Sequence, residues 1–326
     1  MVAFRYKNVR IESYGLNLPS EELELTSAEI EDRLAPLYKK LGIPFGTLER
    51  VSGIRARRLW DLEVMPSKIA TAAAEIALEN SGIDRKHIGA LFNCSVTRDV
   101  FEPATAVLVH RNLGLDENVM ATDITNACIG FSNGLMLLAN MIETGVVKAG
   151  LLVSGENPIN IVTSNFKLIE RQHETLTRDD LLKMLPVFTL GSSAVAFVLA
   201  HESIATKNHK FLGGVGLSAT EHSDLCVGNG DFCSSDKYDE LSPIMHTESG
   251  KLIAEAAKLG GRTWKVCSEV LGWDSKDVDH VFCHQVGRQV NEAFYNELGL
   301  DYKKEYAVYK NLGNMVSAAM PTALIK

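Results

Sequence analysis

The sequence predicts an α/β protein made of two related halves. Three observations carry that prediction. Short apolar runs of strand length alternate with longer helical patterns, one block of the chain recurs further on, and both copies lead into turns that bear reactive side chains. In order, residues 4–18 read as a strand, and Glu29–Leu41 as an amphipathic helix with Ser27 as its cap. Thr47–Arg58 is a polar connection holding Gly53-Ile-Arg-Ala-Arg-Arg58. Pro66–Asn80 is an Ala-rich helix stopped by Ser81-Gly82. Ile88–Val96 is a buried strand, and Pro103–Asn112 a helix with proline in its first turn and Gly114 past its end.

An extended run over 119–124 then breaks at small and polar residues, and a helical pattern begins near Cys128. Phe131, Leu135, Leu138 and Ile142 fall at helical spacing, and Met136, Leu137 and Met141 leave that helix apolar nearly all round, which predicts burial. Gly150–Gly155 is another buried strand, Asn157–Pro186 a polar, irregular or helical excursion, and Ser193–His201 a returning strand.

The second half repeats the first. Gly82-Ile-Asp-Arg-Lys-His-Ile-Gly-Ala-Leu-Phe-Asn-Cys94 aligns with Gly272-Trp-Asp-Ser-Lys-Asp-Val-Asp-His-Val-Phe-Cys-His284, sharing glycine, aspartate, lysine, a β-branched residue and phenylalanine. An Ala-rich helix precedes each block (Ser67–Asn80 and Ser249–Leu271). A helix ending Leu-Gly-Leu follows each (113–115 and 298–300), and then a strand. Residues 1–203, with the excursion at 157–188, and residues 204–326 therefore read as two α/β units about a pseudo-twofold axis.

At 326 residues the chain can bury two ordinary cores. Its apolar runs fall short of the roughly 20 residues that span a bilayer, and its start lacks the apolar stretch of a signal peptide. Six cysteines (Cys94, Cys128, Cys226, Cys233, Cys267, Cys283) form no C-x-x-C pair, which argues against a disulfide scaffold and a zinc site and for a cytoplasmic protein. His222 and His246 have no metal-ligand spacing, and a net charge of −8 disfavours a nucleic-acid surface. Gly213-Gly-Val-Gly216 is too short a match for nucleotide binding and reads as strand or bulge.

The repeat brings three side chains to equivalent ends: Cys128, His284 after its expected strand, and Asn314 in Asn311-Leu-Gly-Asn314. Ligands of open α/β sheets gather beyond the carboxyl ends of strands. A cysteine at a helix start would face unpaired N–H groups and the positive end of the dipole, which favours thiolate. A cysteine with histidine and asparagine suits covalent acyl transfer: sulfur takes the acyl group, and the other two stabilise an enolate oxygen. A papain-like protease uses the same three residue types, but without this duplicated pattern and usually with disulfides.

The chain resembles the thiolase-fold condensing enzymes, specifically the β-ketoacyl-(acyl carrier protein) synthase III group. The motifs are Gly53-Ile-Arg-Ala-Arg-Arg58, Asp123-Ile-Thr-Asn-Ala-Cys-Ile-Gly-Phe131, Cys283-His284-Gln-Val and Gly313-Asn314-Met-Val-Ser-Ala-Ala-Met-Pro321. The resemblance implies a layered αβαβα fold and an obligate homodimer. It further implies Cys128 as nucleophile, His284 and Asn314 as its partners, and no cofactor beyond the coenzyme A that the substrate carries.

Within that group, Arg98-Asp-Val-Phe-Glu102-Pro-Ala-Thr-Ala106, Gly155-Glu-Asn157 and Thr189-Leu-Gly-Ser-Ser-Ala194 are similar to the enzymes that join two fatty acyl-CoA molecules head to head in long-chain olefin synthesis. That implies Glu102 as a base reaching the partner subunit's site, because two plain acyl-CoAs need a group to remove an α-proton. A malonyl substrate, which makes its carbanion by losing carbon dioxide, does not. Arg55, Arg57 and Arg58 are expected at the CoA phosphates. The alternatives are decarboxylative condensation of acyl-CoA with a malonyl thioester, and a catalytically silent dimer partner. The family continues past Asn314 through a helix and two further strands, which this sequence is expected to lack.

Overall fold

A computed structural model describes residues 2–228 and 244–326. The chain opens with β1 (Val2–Arg5) and β2 (Val9–Asn17). They are separate because Lys7 and Asn8 turn their N–H groups to the Glu143 carboxylate instead of a strand, at 3.1 and 2.8 Å. After β3 (Glu24–Thr26) the expected single helix is two, α1 (Ser27–Arg33) and α2 (Ala35–Leu41). Pro36 has no N–H to return to Asp32, so the ladder breaks there. The cap is Thr26, in a capping box with Glu29, while Ser27 opens the helix.

The connection at 47–58 contains α3 (Thr47–Ser52) and β4 (Ala56–Arg58). Next come α4 (Pro66–Ser81), β5 (Ile88–Asn93), α5 (Thr105–Leu113), β6 (Met120–Asp123), α6 (Gly130–Glu143) and β7 (Ala149–Glu156). The excursion is helical, α7 (Ile159–Gln172) and α8 (Arg178–Met184), and β8 (Ser193–His201) follows as expected. Then come β9 (His209–Lys210), β10 (Gly213–Gly216), β11 (Cys226–Gly228) and β12 (Met245–Thr247). The helices α9 (Ser249–Leu271), α10 (Arg288–Leu298), α11 (Tyr309–Leu312) and α12 (Ala319–Ile325) complete the order.

One six-stranded sheet, ordered β6-β5-β7-β8-β2-β9, organises the molecule. β5 runs parallel to β6 and β7, and the remaining pairs are antiparallel. Period-2 alternation loads both faces. From β8, Val195, Phe197 and Leu199 pack with Phe131, Leu135 and Leu138 of α6 and with Ala319 and Ala323 of α12. Ala194, Ala196, Val198 and Ala200 face Ala70, Ala73, Ala74 and Ala77 of α4. A third core joins α1, α2, α7 and α8 through Leu34, Tyr38, Phe166 and Leu181. α6 is amphipathic, not apolar throughout, because Leu137 is 46% exposed while Phe131, Leu138 and Ile142 are buried.

The internal repeat is real at the level of caps. Gly82 and Gly272 end α4 and α9 at φ 67° and 72°, and Gly114 and Gly299 end α5 and α10 at 61° and 64°. Asp84 and Asp274 each accept the N–H of the lysine two residues on, at 3.0 and 3.1 Å. The repeat does not extend to the sheet. Where strands were expected before His284 and before Asn314, the described residues hold a single bridge, Val281 to Glu305, and the second segment ends in α11. Ala257 is the one buried residue of α9.

Candidate active site

Cys128 sits in the turn between β6 and α6. Asp123, at the end of β6, accepts the Thr105 and Ala106 N–H groups at 3.0 and 2.8 Å and so caps α5. The turn doubles back over Cys94: a Cβ on Gly130 would lie 2.8 Å from the Cys94 carbonyl and 3.2 Å from that of Ile124. Only glycine permits that approach. Ala127 takes φ 46°, a left-handed conformation that costs about 1 kcal/mol without glycine. Asn126 Nδ2 donates to Asn133 Oδ1 at 2.6 Å and ties the turn to α6.

The helix starts at Gly130, two residues beyond the cysteine, with Ile129 as its cap. Ile129 and Gly130 give their N–H groups to Asn126 and Ala127 in local turns. The expected thiolate is therefore not favoured. Burial, reinforced by the nearby Glu156 carboxylate and Cys226, pushes the Cys128 thiol up to about 12, with only its own backbone N–H working the other way. Among the described residues the five cysteines are free, and Cys233 lies outside them.

His284 and Asn314 converge on Val316. Val316 is buried in the apolar cluster against which Cys128 packs. Its N–H donates to Asn314 Oδ1 at 3.0 Å, and its backbone hydrogen-bonds with the His284 ring. Like Ala127, Val316 is left-handed, at φ 51°. Burial lowers His284 to about 4, so the ring is neutral, and Nδ1 is buried without a partner. Asn314 bridges to Leu190: its N–H donates to Thr189 O at 2.8 Å, and its carbonyl accepts from Gly191 N–H at 2.9 Å. With Oδ1 occupied, its Nδ2 hydrogens are what it can offer a ligand.

Two residues to which no role was given from the sequence complete the site. Glu156 closes β7, wholly buried. One oxygen accepts the Val96 N–H at 2.8 Å, the Ser317 N–H at 3.4 Å and the Ser317 hydroxyl. The other accepts the Thr97 N–H at 3.1 Å and the Thr97 hydroxyl at 3.0 Å. Desolvation raises its pKa against these donors. The signal available in the sequence was a glutamate ending the apolar run Leu-Leu-Val-Ser-Gly. Ser317 carried no such signal.

Glu102 lies outside this cluster. It is exposed, in the loop between β5 and α5, which begins at Thr105 after Ala104 and not at Pro103. The three arginines separate. Arg55 is half-exposed, paired with Glu24 at 3.0 Å and donating to Asn311 Oδ1 at 2.9 Å. Arg58 pairs with Glu21 at 2.9 Å. Arg57 corrects the expectation of a phosphate ligand: it is wholly buried and bonds to Leu25 O at 3.2 Å and Ser27 Oγ at 3.0 Å. Burial lowers it to about 10. A Cβ on Gly313 would lie 2.8 Å from Arg57 Cβ, so the base of the Arg57 side chain packs beneath the turn of Asn314.

Comparison with known proteins places these features. Residues 269–326 match the family described as 3-oxoacyl-[acyl-carrier-protein (ACP)] synthase III C terminal. The acyl-CoA:acyl-CoA alkyltransferase of Xanthomonas campestris pv. campestris is 38% identical over 303 residues, covering 93% of this chain and 85% of that protein. The one from Shewanella oneidensis is 35% identical over 320 residues, covering 97% and 89%. A solved cysteine-to-serine variant of Xanthomonas campestris OleA, with bound lauric acid and lauroyl-CoA, matches at TM-score 0.89 and 36% identity over 98% of this chain and 90% of that one. Other solved variants of OleA replace a histidine or a glutamate. The fold is thus the thiolase-like one expected from the sequence.

Proposed function

This chain belongs to the acyl-CoA:acyl-CoA alkyltransferase family, and we propose that it condenses two fatty acyl-CoA thioesters to a β-keto acid through an acyl group on Cys128. The observation that carries the reading is the convergence of His284 and Asn314 on Val316, a member of the apolar cluster against which Cys128 packs.

Cys128 Sγ attacks the first thioester carbonyl, the C–S bond to coenzyme A breaks, and the thiol proton leaves with the departing sulfur. Because the thiol is held protonated, proton loss accompanies attack and does not precede it. Glu102 then removes an α-proton from the second acyl-CoA. The charge moves to the thioester oxygen, where the Asn314 amide donates one hydrogen bond and neutral His284 donates another by turning its single N–H from Val316 to the substrate. The resulting carbon attacks the acyl-cysteine, Cys128 departs as thiolate, and the proton on Glu102 restores the thiol. Water cleaves the remaining thioester to give the β-keto acid.

An exposed Glu102 fits a base that works across a homodimer. An open sheet edge at β6, beside exposed Met120, Ile129 and Phe101, suits such an interface. Arg55, at the surface beside Asn311, is the best placed of the three arginines for a CoA phosphate. No helix among the described residues is long and apolar enough to cross a membrane. Free cysteines suit the reducing cytoplasm.

The test is incubation with fatty acyl-CoA alone. Release of free CoA with a β-keto product, and one acyl group on Cys128 by mass spectrometry, is the expected result. A strict need for a malonyl thioester would move the assignment to decarboxylative condensation. No reaction with either would leave the silent partner.

A further inference from the structure

We propose that Glu156 is a positioning residue for the condensation step: its buried carboxylate couples the loop that carries Glu102 to the turn that carries Asn314. This rests on the function proposed above. Its carboxylate joins segments of different origin: one oxygen takes both Val96 and Ser317, and the other takes Thr97. Val96 and Thr97 open the loop that runs on to Glu102, and Ser317 lies one residue beyond Val316, on which His284 and Asn314 converge. Peptide N–H groups can only donate, so three of the five partners demand an acceptor, and a carboxylate is the group that supplies acceptors on both sides. A buried anion is costly unless its lone pairs are filled, and here they are.

The same network reaches the flanking strands. Ser154 Oγ lies 2.7 Å from Ser317 Oγ, and Asn157 N–H donates to Thr97 Oγ1 at 3.0 Å. Asn157 Oδ1 in turn accepts from Ser192 Oγ at 3.0 Å, so the network runs from the loop after β5 to the residue before β8. Asp99, two residues past Thr97, grips the start of α4 by accepting Ser67 N–H at 2.8 Å. The route from Glu156 to Glu102 is therefore a short loop fixed at two points.

Replacement by glutamine tests this with little change in volume. The oxygen facing Val96 and Ser317 must stay an acceptor, so the amide nitrogen is forced against the Thr97 N–H. The Glu102 loop should loosen while the Asn314 turn is kept. For Glu156→Gln we expect acylation of Cys128 within about twofold of wild type and a kcat for β-keto product lowered about 10- to 100-fold, with KM little changed. A merely structural loss would not give a second effect, namely a shift of the pH profile of iodoacetamide alkylation of Cys128 to lower pH as the adjacent charge disappears. Should Glu156→Gln fail to fold, Ser317→Ala removes one contact from the other side. It should lower product formation severalfold and leave the alkylation profile in place. Wild-type product formation by Glu156→Gln, or an alkylation profile that superimposes on wild type, overturns the proposal, as does full activity of Ser317→Ala. If wild type itself makes no β-keto product, the functional reading fails instead, and the alkylation profiles still report whether Glu156 acts on Cys128.

Discussion

The two halves of this chain share local instructions and differ in what those instructions build. Aspartate-capped turns and left-handed glycine caps recur at matched positions, yet the first half supplies five of the six strands of the central sheet, and the second half pairs at one bridge before His284. Caps depend on a few neighbouring residues, so they form wherever the sequence recurs. A strand forms only beside another, and among the described residues the segment before His284 finds a partner only at the Val281–Glu305 bridge. The site inherits this asymmetry. Cys128 sits on a turn braced by a completed sheet, while His284 and Asn314 are held by Val316, Glu156 and Arg57.

The largest expected effect separates the halves by chemistry. Cys128→Ala should abolish both acyl labelling and β-keto product while leaving the far-ultraviolet spectrum intact. Equal labelling at another cysteine would remove Cys128 as nucleophile. In the second half, His284→Ala or Asn314→Ala should cost about 100- to 1,000-fold in condensation and much less in acylation, because each removes one donor to the enolate. Single-turnover acylation against steady-state product formation reads the difference, and equal loss in both steps would erase the division of labour.

Glu102→Gln should likewise spare acylation and nearly stop condensation. A mixed dimer of Cys128→Ala and Glu102→Gln subunits should recover part of the activity if the glutamate acts across the interface. Recovery absent from the mixed dimer but present in a double-wild-type control would confine the base to its own subunit.

The pH response sharpens the contrast further. With the Cys128 thiol near 12, alkylation should climb through the alkaline range with no plateau near neutrality. His284 is lowered to about 4 from an ordinary 6.5, so the unfolded state binds its proton first. Its contribution to stability is complete above about 6.5 and is lost as pH falls toward 4. His284→Ala should flatten that part of a stability-against-pH curve.

The smallest effect tests the repeat itself. Gly82→Ala and Gly272→Ala both force a side chain into a left-handed cap with space around it, so each should cost about 1 kcal/mol in denaturant unfolding. Clearly unequal costs would show that the two caps differ beyond their local geometry.

The sequence by itself determined the α/β alternation, the repeat, the helix stops and the identity of Cys128, His284 and Asn314 as chemically able residues. Those features depend on short-range periodicity and on cap residues close in the chain. Spacing alone joined Glu29–Leu41 into one helix, which Pro36 breaks into two. Tertiary structure decided the rest. Arg57 shares a basic motif with Arg55 and Arg58, but β4 turns it inward beneath Gly313. Cys128 precedes a helix, yet burial and Glu156 outweigh the dipole that its position suggested. Glu156 ends an apolar strand and could have faced water. It faces Val96, Thr97 and Ser317 because segments some 60 and 160 residues apart close over it. Desolvation and long-range pairing are properties of the packed chain, and no window of sequence contains them.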